Sequence, residues 1–439
     1  MAKATSVARE LVYMIEDSHC TFLLVDQQTA PNVAKFVIPT CVKFCITSQA
    51  VFAIGSVPGF IDILQFQELS DASFKSHVPT DNEEEVVVVL YTSGSTGLPK
   101  GVELSHKAYC AAFHAFRSTG NCTEEDVYLA WNPITHVSGF GYDMFGMLIG
   151  AKIVIAEPWI SYNDFKDILE TFQVSLFLGH TARMQDVVNE ARKNSDNVFR
   201  LNKIMVGGSV IKNSLAKDIC EIFNLKSMIV CYGLTETFAV LSTSPVGQIT
   251  FDNCGFPVAG SKVKVIDLTS GDSLGPYQKG EIVVHSRNAM KGYFRSPEAT
   301  AEALSEDGWL RSGDLGFYDT EGRIYIIDRL KQMIKCMDNV VTPSELEEIL
   351  MTHEAVAESA VVGVPSSKYG EAPAACVVVK DGFEKNLESL AIELKELIAG
   401  QAAVFKQLYG GVFFMKSLPK SHSGKILRQD LKTKIANEK

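Results

Sequence analysis

The chain reads as an α/β protein. A large N-terminal domain of layered sheets and helices, with a small β-barrel subdomain, precedes a small α+β domain. Three observations predict this. Short apolar, β-rich runs alternate with helical stretches through the first part of the chain, which calls for a substantially parallel sheet with helices between its strands. From about residue 255 to 293 the texture changes to short strands separated by glycine-rich turns. Beyond Asp328–Lys331 a second change opens a segment with its own helices and strands.

Taken in order, strands are predicted at Val86–Tyr91, Lys152–Ile155, Lys203–Val206 and Met228–Tyr232. Helices are predicted at Ser105–Phe116, Tyr162–Phe172 and Asn213–Phe223, where the apolar period lengthens. The most apolar region, Gly139–Ile160, is interrupted by Asp143, Lys152 and Glu157, so it falls short of the about 20 apolar residues that span a bilayer. It reads as buried core. Val263–Ile266 and Gly280–Val284 are strands of the β-rich unit. Thr342-Pro343-Ser344-Glu345 predicts a helix start with Thr342 as N-cap, Pro343 in the first turn and Glu345 closing a capping box. Strands at Val361–Val364 and Ala374–Val379, a helix at Leu387–Ala399 and a strand at Val412–Phe414 complete the small domain. The expected division is a large domain over residues 1–328, a linker at 329–331 and a small C-terminal domain over 332–439.

At 439 residues the chain holds about three folding units by length alone. Apolar residues make up 46% and charged residues 21%, an ordinary globular composition with material for a large core. The formal charge of −11 argues against general nucleic-acid binding, so an anionic ligand must be held by a few placed cations. None of the 10 cysteines stands in a CxxC pair, and the histidines do not pair at zinc-ligand spacing, which predicts free thiols and no structural zinc. The opening Met1–Glu10 has no apolar signal core, and the chain ends Asn437-Glu438-Lys439, not the peroxisomal Ser-Lys-Leu address. The expectation is a soluble cytoplasmic enzyme.

Chemistry is concentrated in Tyr91-Thr92-Ser93-Gly94-Ser95-Thr96-Gly97-Leu98-Pro99-Lys100-Gly101. A valine-rich strand enters a Ser/Thr/Gly loop that ends in lysine, and a helix follows. The glycines allow close backbone approach, amide and hydroxyl groups donate to phosphate oxygens, and Lys100 adds charge. The spacing is not that of a Walker A loop, because Leu98-Pro99 precede the lysine and Gly101 follows it.

This loop resembles the signature of the adenylate-forming superfamily, which includes acyl-CoA synthetases, coumarate–CoA ligases, beetle luciferases and peptide-synthetase adenylation domains. Further ordered matches follow at Asn132–Gly139, Tyr232-Gly233-Leu234-Thr235-Glu236-Thr237, Ser312-Gly313-Asp314 through Asp328-Arg329, and Pro419–Lys425. Trp309–Gly316 and Leu418-Pro419-Lys420 are most similar to the luciferase and coumarate–CoA ligase branch. The resemblance implies a two-step reaction. A carboxylate attacks the α-phosphorus of ATP, giving an acyl-adenylate and pyrophosphate, and a thiol, usually coenzyme A, then displaces AMP.

The same resemblance implies roles for residues. Thr92, Ser93, Gly94, Ser95, Thr96, Gly97 and Lys100 hold phosphate. Tyr232 stacks on adenine, Thr235 contacts the α-phosphate, Asp314 accepts the ribose hydroxyls, and Gly208, Ser209 and Gly233 line the nucleotide site. Glu236 is the Mg²⁺ ligand, a hard oxygen donor suited to that ion. His136 positions the substrate carboxylate, Arg329 supports the nucleotide beside the hinge residue Lys331, and Lys425 bridges carboxylate and phosphate during adenylation. Lys335 matches a lysine used in the second half-reaction. The acyl pocket is implied around Phe140, Gly207–Ser209 and Phe238–Val240, suiting a fatty or aryl acid.

The sequence also departs from the family. Relatives begin well upstream of the region matching Thr5–Glu10, so the chain is expected to lack N-terminal elements, and an inactive ATP- or acyl-binding protein is the alternative function. Asp338 stands where relatives carry a glycine lining the thiol tunnel, which puts the coenzyme A step in question. Cys231 replaces a glycine before Tyr232, and Ala112 stands where luciferases place a pocket arginine, arguing against light emission.

Overall fold

A computed structural model describes residues 8–20, 22–25, 30, 33, 50–53, 61–62, 84–92, 99–158, 160–194, 201–337, 339–380, 382–383, 386–420 and 425–438. Its largest layer is a seven-stranded sheet in the order Phe256–Pro257, Ser242–Thr243, Ser227–Tyr232, Lys203–Gly207, Leu176–His180, Val127–Ala130, Lys152–Ile155. The five strands from Ser227–Tyr232 to Lys152–Ile155 run parallel, and the other two add antiparallel. Helices cover one face: Tyr162–Phe172, Thr181–Lys193 and Asn213–Ile222 pack Phe165, Leu169, Met184, Val188 and Ile219 against Leu129, Phe177 and Ile204. The opposite face packs Tyr128, Leu176, Met205 and Ile229 with Phe116, Phe145 and Phe238. Burial on both faces explains why these strands are nearly unbroken apolar runs. Each fully buried large side chain contributes roughly 1.5–3 kcal/mol.

Local signals set the helix starts. Ser105 caps His106–Ser118 by accepting the Ala108 amide at 3.2 Å, and Ser161 caps Tyr162–Phe172 by accepting the Asp164 amide at 3.1 Å. The expected capping box at Thr342 does not form. Thr342 makes no side-chain cap bond to the helix Pro343–Met351, and Glu345 instead pairs with Lys406 at 2.6 Å. A lysine donated by another element gives the carboxylate a full charge partner, which outcompetes a single amide.

Around the phosphate loop, Val86–Thr92 pairs antiparallel with Lys100–Ser105, placing Thr92 opposite Lys100, and the helix His106–Ser118 follows the returning strand. Lys100 is the first residue of the returning strand. Gly292–Tyr293 adds to the hairpin as a third strand, through Glu103 and Val102. Tyr91 reaches the N-terminal helix Ala8–Ser18, donating to Asp17 Oδ2 at 2.6 Å. A parallel three-stranded sheet, Phe22–Val25, Ala50–Ala53 and Ile61–Asp62, was not evident from composition.

The β-rich unit is antiparallel and longer than expected, running through Ser261–Ile266, Gly280–Ser286, Leu310–Tyr318 and Ile324–Arg329. Among the described residues its hydrogen bonds follow a line of four strands and do not close a ring. The chain then turns through Leu330–Gln332 into the small domain. There Gly370–Val379 lies between Val356–Ser366 and the parallel strand Gly411–Phe414. Alternation divides its faces: Val361, Ala375 and Val377 pack under Pro343–Met351 and Leu387–Gln401, while Ala360, Val362 and Cys376 pack under Arg428–Glu438.

Gly139–Ile160 is only partly core. Gly139, Tyr142 and Phe145 are buried, but Met147 and Leu148 on the helix Met144–Ile149 are each 53% exposed, and Ile155 on the edge strand Lys152–Ile155 is 81% exposed. Among the described residues no helix is long and apolar enough to cross a membrane, no cysteine forms a disulfide, and no group of three or more metal-ligating side chains exists.

Asp143 has a carboxyl held well above the ordinary range, because burial disfavours its charge more than the hydrogen bond from Tyr128, at 3.2 Å, restores it. The folded state therefore binds this proton more tightly than the unfolded chain. The associated stability is present below the unfolded value of about 4 and is lost as pH rises towards the folded one. Asp143→Asn removes that loss, so the variant's Tm relative to wild type is expected to rise between pH 4 and pH 7. A pH-independent difference in thermal melts would contradict it.

Candidate active site

The C-terminal ends of the parallel strands gather the polar residues, the usual place for a ligand site in such sheets. Tyr232 ends the strand Ser227–Tyr232 and donates its hydroxyl to Asp314 Oδ2 at 2.7 Å. Asp314 and Arg329 face each other across antiparallel strands, and Arg329 Nε lies 2.8 Å from Asp314 Oδ1. The Asp314 side chain is 3% exposed and that of Arg329 is 47% exposed, so one end of the pair is dry and the other open. Burial pushes the Asp314 carboxyl above its usual range, while Arg329, Tyr232 and Lys425 pull it down. Burial, followed by the Asp314 charge, pushes the Tyr232 phenol well up. For Arg329 burial acts against the charge, but Asp314, Tyr232 and Glu236 outweigh it and hold the guanidinium above its usual value.

Beyond Tyr232 the chain turns sharply through Thr235–Thr237. The turn requires Gly233, since a Cβ there would stand 1.2 Å from the Ala239 carbonyl oxygen. Thr237 Oγ1 accepts the Leu234 amide at 3.2 Å, and the Glu236 carbonyl accepts the Met290 amide at 2.7 Å. Glu236 Oε1 accepts the Tyr293 hydroxyl at 2.9 Å, and Lys100 Nζ lies 5.0 Å from the centre of the Tyr293 ring. Lys331 is held below its ordinary value by burial and by the charges of Lys100 and Arg329. Glu236, Lys100, Lys331 and Arg329 thus share one electrostatic environment.

Tyr293 is missing from the sequence-derived set. Its Gly292–Tyr293 segment reads as part of the β-rich unit, and only its pairing with Lys100–Ser105 brings it to Glu236. Tyr293→Phe keeps the ring and removes one hydrogen bond to the carboxylate. If the chain carries the adenylation activity that its sequence resemblance implies, ATP–pyrophosphate exchange is expected to fall about two- to tenfold with little change in melting, and an unchanged rate would exclude a role for the hydroxyl.

His136 lies near the turn before the Gly139 segment, where a Cβ on Gly139 would meet the Pro133 carbonyl oxygen at 2.3 Å. Its Nδ1 accepts the Ser138 amide at 3.1 Å and lies 2.8 Å from Ser138 Oγ. His180 is a second residue the sequence motifs miss: its Nε2 is 2.9 Å from the same Ser138 Oγ. Gly208 has φ +89, and a Cβ there would stand 2.4 Å from His180 Nδ1. The Ser209 carbonyl accepts Thr181 Oγ1 at 3.1 Å. Phe140 and Phe238 of the expected acyl pocket lie 6.0 Å apart, and Tyr109 meets Phe238 edge-on at 5.0 Å.

Not every expected residue joins this cluster. Thr92 ends its strand, donating to the Lys100 carbonyl at 3.4 Å. Thr235 lies half-buried in the turn beside Glu236. Lys425 is exposed, yet its charge is felt by Asp314. Lys335 sits in the small-domain strand Ile334–Cys336, where its amide donates to Glu371 Oε2 at 2.9 Å. Ser93, Gly94, Ser95, Thr96 and Gly97 lie outside the described residues, as do Asp338 and Ser421–Gly424. Cys231 does not reach the site: it is buried, and desolvation pushes its thiol up to about 12. Ala112 is likewise buried.

The donor set fits Mg²⁺ in one respect. Glu236 offers a carboxylate beside Lys100 and Arg329, and no cage of several ligating side chains exists among the described residues. Mg²⁺ is typically held by one or two carboxylates together with phosphate oxygens and water.

Known proteins resemble this chain in sequence and in fold. Residues 1–294 match the family described as AMP-binding enzyme, and residues 345–425 match the AMP-binding enzyme C-terminal domain. Luciferin 4-monooxygenase of Nipponoluciola cruciata is 36% identical over 375 residues, covering 83% of this chain and 67% of the relative. A 4-coumarate–CoA ligase-like protein of Arabidopsis thaliana is 31% identical over 424 residues, covering 95% and 73%. The crystal structure of ATP-bound MatB from Rhodopseudomonas palustris superposes with a TM-score of 0.85 at 23% identity, covering 99% of this chain and 82% of that one. That last likeness speaks for the fold: a large α/β domain followed by a small C-terminal one. Two successive family matches along one chain, with relatives above 30% identity, make this protein a member of the AMP-binding, adenylate-forming enzyme superfamily.

Proposed function

We propose that the protein activates a carboxylic acid with ATP and transfers the acyl group to coenzyme A. In the first step a substrate carboxylate oxygen forms a bond to the α-phosphorus and pyrophosphate leaves, giving an acyl-adenylate. In the second the thiol sulfur bonds to the acyl carbon, AMP leaves, and the thiol proton passes to solvent. The observation that carries this reading is the convergence of Tyr232, Asp314 and Arg329 with Glu236 and Lys100.

The first step brings one anion onto another, so catalysis rests on charge neutralisation and positioning. Asp314 holds the ribose hydroxyls, with Arg329 keeping the carboxylate charged. Tyr232 and the Gly208–Ser209 backbone flank the nucleotide, and Thr235 donates to its α-phosphate. Glu236 would hold Mg²⁺, which when bound supplies charge neutralisation at the phosphates. Lys100, Lys425 and the Ser93–Gly97 loop supply further donors. His136 orients the substrate carboxylate and takes no proton from it, because the acid is already ionised. Residues 329–331 form the hinge between a large domain over 1–328 and a lid over 332–439, and Lys335 serves the second step after the lid rotates.

The aromatic walls at Phe140 and Phe238, with Tyr109 against them, support a fatty or aryl acid. Acid-dependent ATP–pyrophosphate exchange by the purified chain tests the first step across fatty, aryl and short-chain acids. Measurable ATP binding without exchange for any acid would favour the alternative, an ATP- or acyl-binding protein without activity. Adenylate formation without thioester would confine the activity to the first step.

A further inference from the structure

His180, the last residue of the buried strand Leu176–His180, stands behind His136, and Ser138 joins the two. His180 is 7% exposed and Ser138 is 4% exposed, so neither polar group is satisfied by bulk water. The rings of His136 and His180 meet edge-on, with centroids 5.3 Å apart. Room for the second ring is made by Gly208, whose missing Cβ would otherwise stand 2.4 Å from His180 Nδ1.

Proton positions follow from the donors. The Ser138 amide donates to His136 Nδ1, so that nitrogen is unprotonated. The Ser138 oxygen lies 2.8 Å from the same nitrogen, and two facing lone pairs at that distance repel. Its hydroxyl proton therefore points to Nδ1. The 2.9 Å contact between Ser138 Oγ and His180 Nε2 is then satisfied only when Nε2–H is the donor. The order runs from His180 Nε2–H to the Ser138 hydroxyl to His136 Nδ1, and neutral His136 carries its own proton on Nε2.

We propose that His180 is a positioning residue for adenylation. Acting through the Ser138 hydroxyl, it fixes the tautomer and ring plane of His136, so that Nε2–H is presented to the substrate carboxylate. The partner of one ring nitrogen sets what the other can do. The proposal rests on the adenylation reading for its kinetic consequence but not for its proton order.

Imidazole ¹⁵N spectra test the order directly, assigned with single-histidine variants. The expected result is an unprotonated Nδ1 on His136 and a protonated Nε2 on His180; an unprotonated His180 Nε2 would overturn it. Kinetics test the role. His180→Leu is expected to lower kcat for ATP–pyrophosphate exchange about tenfold, the scale of one buried hydrogen bond, with KM for ATP held within about twofold. His180→Gln, whose amide N–H reaches the same oxygen, restores most of the rate and guards against a simple packing defect. On a Ser138→Ala background His180→Leu costs nothing further, because contacting residues acting through one bond are not additive. Multiplying losses, or a glutamine variant no better than leucine, overturns the positioning role. Absence of exchange in the wild type with every acid sinks the adenylation reading and the kinetic role with it, while the spectra still decide the proton order.

Discussion

Lys425→Ala lowers acid-dependent ATP–pyrophosphate exchange by about 10²–10³-fold, the cost of removing one placed donor from a developing anion. Lys425 is exposed, in a small domain whose own core lies elsewhere, so the melting temperature stays close to wild type. Its charge is felt by the buried Asp314 across the domain boundary, which links it to the Tyr232–Asp314–Arg329 cluster. The loss is therefore expected in the first half-reaction alone. Thioester formation from chemically prepared acyl-adenylate is expected to be retained, since the lid rotation proposed above would carry Lys425 away before the second step. Equal damage to both half-reactions, or a drop in melting temperature large enough to account for it, would refute the assignment.

Gly233→Ala removes soluble folded protein or destabilises it by on the order of 4 kcal/mol. A Cβ at this position would stand 1.2 Å from the Ala239 carbonyl oxygen, and no side-chain rotation relieves a clash between backbone atoms. The opposing segment has little freedom to retreat. Phe238 and Ala239 already have φ of +47 and +82, conformations that cost non-glycine residues energy, and the Ala239 amide is tied to the Leu234 carbonyl at 3.1 Å. Gly247 is the control. It has φ +82, but a Cβ added there would meet nothing within 4 Å, so Gly247→Ala isolates the backbone cost at about 1 kcal/mol. Chemical denaturation of the two variants gives the comparison, and similar losses in both would show that the contact with Ala239 can relax.

Much of the layout was legible because it depends on local signals. The helix Tyr162–Phe172 has the bounds that its apolar period and Ser161 imply, and the strand Lys152–Ile155 has those of its β-branched run. The motif residues Tyr232, Asp314, Arg329 and Glu236 do gather, although they come from separate stretches of chain. What misled was competition between partners. Glu345 reads as a capping-box acid until Lys406 is brought to it. The apolar run after Gly139 reads as core until its edge position leaves Ile155 open.

By itself the sequence determined the alternation of strands and helices, the α+β character of the C-terminal part and the family of the chemistry. These are carried by periodicity and by residues close together in the chain. Only the tertiary structure decided that Tyr293 donates to Glu236, that Asp314 lies opposite Arg329, and that His180 stands behind Ser138 and His136. Such contacts join residues up to 57 positions apart. They depend on strand register and on the space left by Gly208 and Gly233, and no local preference encodes either.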